Sequence, residues 1–86
     1  MVEKPRLIQD IEAKGGRAEL VDAFAGADGL EWQIYAVVDN RGRPRIIAMK
    51  IAANGFVKKA VQIAPTDAER VAAAIARARE KLREML

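Results

Sequence analysis

The chain has 86 residues and a formal net charge of +3, and it contains no Ser, Cys or His. These absences exclude disulfides, remove the usual ligands of a structural zinc site, and rule out every Ser–His or Cys–His relay. Lysine and carboxylate chemistry survives in principle, as at Lys50 or Asp22, but no recognisable motif surrounds either. A binding protein that is not an enzyme, without cofactor or metal, is therefore expected.

One domain covering residues 1–86 is expected, its small core supplemented by tight packing, ion pairs and self-association. The longest apolar runs fall far short of the roughly 18 residues that span a bilayer. The opening Met1-Val2-Glu3-Lys4-Pro5-Arg6 lacks the hydrophobic stretch of a signal peptide. These features predict a soluble, cytoplasmic chain. Few Asn and Gln, with no Cys or His, match a thermophile (archaeal) protein or an idealised sequence.

In chain order, Pro5 to Lys14 predicts a short helix, with Leu7, Ile8 and Ile11 on one face and Gly15-Gly16 as its stop. Arg17 to Phe24 predicts a strand, followed by a loop at Gly26-Ala27-Asp28-Gly29. Leu30 to Val38 alternates as a second strand, and Asp39 to Pro44 reads as a turn. Arg45 to Ala52 predicts a third strand, Asn54-Gly55 a tight hairpin, and Phe56 to Ala64 a fourth strand. Thr66-Asp67-Ala68-Glu69 matches a capping box at the start of a long C-terminal helix. The expected fold is α+β, a four-stranded antiparallel sheet between a short and a long helix (α-β-β-β-β-α).

Along that last helix, Val71, Ile75, Ala78, Leu82 and Met85 recur at spacings of four and three, a narrow coiled-coil-like seam. Packing on the protein's own sheet is one use of it. Extension of its distal end into a homodimer or higher oligomer is the other, since about 20 helical residues span roughly 30 Å.

Centring the second hairpin on Arg41-Gly42 pairs Ile34 with Met49 and Trp32 with Ile51. One sheet face then collects Trp32, Ile34, Ala36, Ile47, Met49, Ile51 and Ala60, the expected core beneath the helices. The other carries Gln33, Tyr35, Val37, Ile46, Ala48, Lys50, Val57, Lys59, Val61 and Ile63. Lys50 opposite Lys59 on that face suggests an anion between them, or two lysines splayed into water. A slip of one residue would exchange the sets on one strand.

Charge is unevenly distributed. Residues 1–39 hold eight acids and four bases, whereas residues 40–65 hold Arg41, Arg43, Arg45, Lys50, Lys58 and Lys59 with no acid. Such a segment attracts phosphate backbones. The long helix alternates acids with bases and lacks a continuous basic face, which disfavours helix-in-groove binding to duplex DNA. A basic, partly apolar sheet surface suits single strands, whose bases stack while cations follow the backbone.

The stretch Gly42-Arg43-Pro44-Arg45-Ile46, with Lys58-Lys59-Ala60-Val61-Gln62-Ile63-Ala64-Pro65-Thr66 running into the helix start, resembles the single-stranded-DNA-binding transcriptional coactivator family. The extra N-terminal helix and compact size are more similar to the ThermoDBP-like single-stranded-DNA-binding proteins of Thermoproteales archaea. This resemblance implies phosphate contacts by Arg41, Arg43, Arg45, Lys50, Lys58 and Lys59. It also implies contacts to bases by Tyr35, Trp32 and Phe56, with Gln33 beside them. The implied function is binding of single-stranded DNA, or RNA, with little sequence preference and as an oligomer. A protein-interaction or assembly module whose basic hairpin is only a solvated surface is the alternative. A small-molecule or enzymatic domain would require a polar pocket with a buried carboxylate at Asp22 or Glu31.

Overall fold

A computed structural model describes residues 4–52, 57–58 and 63–86. The elements are α1 (Arg6–Ala13), β1 (Arg17–Ala25), β2 (Glu31–Val38), β3 (Pro44–Ile51) and α2 (Pro65–Met85). The expected α-β-β-β-β-α order is corrected to α-β-β-β-α, three full antiparallel strands in the order β1-β2-β3. Of the expected fourth strand, only the two residues Val57–Lys58 pair with β3, Lys58 opposite Lys50 and Val57 opposite Ile51. Ile63 and Ala64 lie outside any strand. Pro65 explains that limit, because it lacks an N–H for a ladder and instead occupies the first position of α2. The Asn54-Gly55 hairpin signal, Phe56, Lys59, Ala60 and Val61 fall outside the described residues.

The short helix stops as its glycines predict. Gly15 adopts φ +94, its amide donates to Glu12 O, and the Gly16 amide donates to Ile11 O at 2.9 Å. This crossed pair of bonds is a Schellman close. A Cβ on Gly16 would stand 2.7 Å from Ile11 Cγ2 and 2.9 Å from Val38 O, so glycine also permits the approach of α1 to β2.

Between β2 and β3 the register is shifted by one residue from expectation: Ile34 faces Ala48 and Trp32 faces Lys50. The cause is the loop. Asp39 N donates to Arg43 O and Gly42 N to Asp39 O, enclosing the three residues Asn40, Arg41 and Gly42. A two-residue hairpin of the favoured type I′ needs positive φ at both central positions, but only Gly42 has it here, at +80. The shift moves Ile47 and Met49 to the face of Tyr35 and Val37, beneath α1 with Ile8 and Ile11. Ile46 joins Trp32, Ile34, Ala36 and Val38 beneath α2. The helices therefore cover opposite faces of the sheet, and Trp32 through Val38 is buried without interruption.

The seam on α2 faces its own sheet. Val71, Ala78, Leu82 and Met85 are buried with Ala74 against Phe24, Trp32 and Ile34, and Ile75 packs partly buried against them. The expected oligomer seam is thus consumed inside the subunit. The expected hydroxyl cap is also absent: Ala64 holds the N-cap position and no side chain caps the helix. Pro65 moves the helix start ahead of Thr66.

Candidate functional site

The residues expected to bind nucleic acid separate into two environments. Trp32 is 1% exposed, and its indole N–H donates to Asp67 Oδ2 at 3.4 Å. Tyr35 is buried and donates its hydroxyl to Gln33 Oε1 at 2.9 Å, while Gln33 Nε2 donates to Glu31 Oε2 at 2.8 Å. Burial, with the Glu12 and Glu31 carboxylates nearby, pushes the Tyr35 phenol above its ordinary pKa. Phe24 is buried too, beneath the Arg70 guanidinium 4.4 Å from its ring centroid. Trp32 lies in the core, as its place on the expected core face predicts, and does not offer a stacking surface. Tyr35 is removed from the expected stacking face because α1 covers that face and the shifted register brings Ile47 and Met49 beside it.

Lys50 is likewise occupied. Its side chain is nearly buried, with Nζ 2.7 Å from Asp28 Oδ2 and 5.2 Å from the centroid of the Trp32 ring. The ammonium holds the Asp28 carboxyl below its usual range, aided by the Leu30 amide. Lys58 stands opposite Lys50 in the ladder. Phe56 and Lys59 lie outside the described residues.

Arg41, Arg43 and Arg45 remain together on the β2–β3 hairpin, all exposed. Among the described residues none has a carboxylate within ion-pair distance. The one acid of the turn is engaged with the backbone: Asp39 Oδ1 accepts the amides of Arg43 and Arg41, each at 2.9 Å. Those amides, with the Arg45 and Arg43 guanidinium groups, hold its carboxyl below the ordinary range. The turn is thereby braced from within. Arg43 immediately precedes β3, and Arg45 is the second residue of that strand.

Two further cations join this end of the molecule. Arg17 begins β1 opposite Val38, and Lys14 is the C-cap of α1 just before Gly15, whose Cβ position is 4.0 Å from Asn40 Cβ. The sequence contained the signal, since an antiparallel β1–β2 pair returns the start of β1 to the end of β2. Arg17 is partly committed, its Nη2 donating to the carbonyl of Met85. Arg41, Arg43 and Arg45, with Arg17 and Lys14, thus cluster at the hairpin end, whereas Lys50 and Lys58 lie toward the other end of β3.

The groups through which lysine or carboxylate chemistry would run are paired. Asp22 Oδ2 is 2.7 Å from Arg77 Nη2 and 3.9 Å from Arg70 Nε, Glu31 accepts from Gln33, and Lys50 holds Asp28. No group of three potential metal ligands gathers among the described residues. A recess of about 420 Å³ lies beside Asp28, Lys50, Pro65 and Asp67. Among the described residues, no helix is long and apolar enough to cross a membrane. No family model, curated protein or solved structure matches the chain.

Proposed function

We propose that this chain binds single-stranded nucleic acid with little sequence preference, through Arg41, Arg43 and Arg45 instead of a stacking sheet. The observation that carries the reading is the set of three exposed guanidinium groups, without carboxylate partners among the described residues, on an internally braced turn. A guanidinium presents paired donors to a phosphate and a flat face to an unpaired base. Only a single strand offers both, because duplex pairing hides the base faces. With the core aromatics enclosed, affinity rests on charge and guanidinium stacking. It is accordingly modest and strongly dependent on salt.

The test is fluorescence anisotropy of a labelled mixed-sequence single strand at two salt concentrations, with unlabelled duplex as competitor. Salt-sensitive binding that duplex displaces poorly, with Trp32 emission nearly unchanged, supports the reading. A preference for duplex, or no binding at low salt, overturns it. DNA and RNA strands of the same sequence compared side by side settle the sugar preference.

An assembly role would use a different part of the molecule, the open edge of β1.

A further inference from the structure

β1 is the outer strand of the sheet, nine residues long, with β2 on one side and no other strand beside it among the described residues. Edge strands present unpaired N–H and C=O groups, and natural proteins usually guard them with charge. Here Leu20, near the middle of the strand, is 51% exposed, and Leu7 on α1 is 47% exposed. A groove of about 650 Å³ follows this edge, lined by Glu19, Leu20 and Val21 from the strand and by Arg77, Lys81 and Glu84 from α2.

We infer that the β1 edge is a self-association surface, pairing antiparallel with β1 of a second copy. Three observations select a second copy as the occupant. The first is charge. The edge is balanced, Glu19, Asp22 and Glu84 against Lys81, Arg77 and Arg70: Lys81 lies 3.1 Å from Glu19 and 3.3 Å from Glu84, and Asp22 lies 2.7 Å from Arg77 and 3.9 Å from Arg70. A polyanion gains little there. Two copies meeting along β1 also keep their cationic β2–β3 hairpins away from the contact.

The second is register. A bulge between Leu20 and Asp22 places Ala18 and Leu20 on the α1 face before it and Ala23 and Ala25 on the same face after it. One antiparallel pairing then matches like face with like face along the strand: Ala18 opposite Ala25 of the other copy and Leu20 opposite Ala23. It also sets Glu19 opposite Phe24, so no like charges face each other. The two-fold axis passes through the bulges, where Val21 meets Asp22. Each exposed leucine thereby covers a small residue of the other copy.

The third is the helix layer. α2 lies over β2, so the two helices would run antiparallel on one face of a joined sheet. The β2 strands beneath them would be three strand spacings apart, about 14 Å. Long side chains bridge that gap near the two-fold axis, where Arg77 sits beside Asp22, Glu80 of one copy reaching toward Arg77 of the other. A contact along about 30 Å of strand edge is smaller than a standard interface, so the dimer is weak and dependent on concentration.

Sedimentation equilibrium of the full chain from about 10 µM to 1 mM tests this. Dimer formation in that range is expected, weakened roughly tenfold or more in L20K, where a half-exposed leucine contact is lost. A23E is expected to weaken it as well, and an equimolar mixture of L20K with A23E to restore it through the new ion pair. Both positions are exposed, and circular dichroism verifies that the variants fold. A chain monomeric at 1 mM overturns the inference. So does a dimer unaffected by both substitutions, or a mixture no tighter than either variant alone.

Discussion

The indole N–H of Trp32 donates to Asp67 Oδ2, joining the central strand to the first turn of α2. The same carboxylate accepts the Ala27 amide, 3.1 Å from Oδ2 and 3.2 Å from Oδ1, and so ties down the β1–β2 loop. Gly26 leaves the space, since a Cβ there would stand 3.0 Å from both Asp67 Oδ2 and the indole. Asp67→Ala leaves a buried donor without its acceptor and is expected to cost about 2 kcal/mol, the range for bonds to a charged group. Urea unfolding followed by Trp32 emission measures the loss. Asp67→Asn keeps an acceptor oxygen and is expected to lose less.

Leu82→Ala addresses the helix seam. Leu82 is buried against the subunit's own sheet, so truncation is expected to destabilise the fold by about 3 kcal/mol. The dimer constant, measured where the variant remains folded, is expected to stay near the parent value. A seam serving oligomerisation would show the reverse pattern, association lost and stability kept.

Replacing Arg41, Arg43 and Arg45 together by Gln is expected to abolish single-strand binding at moderate salt. At low salt, where residual binding is measurable, the log–log salt slope is expected to fall by about two, from three contacts at about 0.7 each. All three side chains are exposed, so thermal stability is expected to remain within about 0.5 kcal/mol of the parent. Paired anisotropy and melting experiments separate lost binding from lost fold.

Gly42 stands at φ +80 in the loop that sets the β2–β3 register. Gly42→Ala is expected to cost about 1 kcal/mol through left-handed strain. That corresponds to roughly 4–8 °C in a melting scan of a domain this small.

Tyr35 supplies a pH signature. Its phenol is pushed above the ordinary value by burial first and by the Glu12 and Glu31 carboxylates second. The unfolded chain therefore releases that proton more easily than the folded one. Stability from this group is full below the ordinary phenol range, about pH 10. It declines as pH rises toward and through the raised folded value. Absorbance at 295 nm is expected to titrate above the ordinary range, and Tyr35→Phe to abolish that transition.

Local signals carried much of this architecture. Gly15-Gly16 ended α1, the apolar spacing of α2 matched its buried face, and alternation located β2. The register of β3 was harder to read. Arg41-Gly42 permits a two-residue or a three-residue loop, and the choice depends on which backbone amides Asp39 satisfies. That single residue of difference redirected Ile47, Met49 and Lys50. Val37 and Tyr35 between Ile34 and Val38 already signalled a strand buried on both faces. At the candidate site, charge was legible because exposed arginines need no partners to be counted. The enclosure of the aromatics was not, since it depends on where α1 docks.

The double burial of β2 has a consequence for biosynthesis. Among the described residues, Phe24, Trp32, Ile34, Ala36 and Val38 find their cover in α2, the last described segment to leave the ribosome. A nascent chain ending near Ile51 would hold a sheet with one face dressed and the other bare. It would be prone to adhere to its neighbours. Completion of this fold must therefore await emergence of α2, and products stalled or truncated before it should be the forms that chaperones and proteases encounter. A substitution that slowed the docking of α2 would lengthen that exposure.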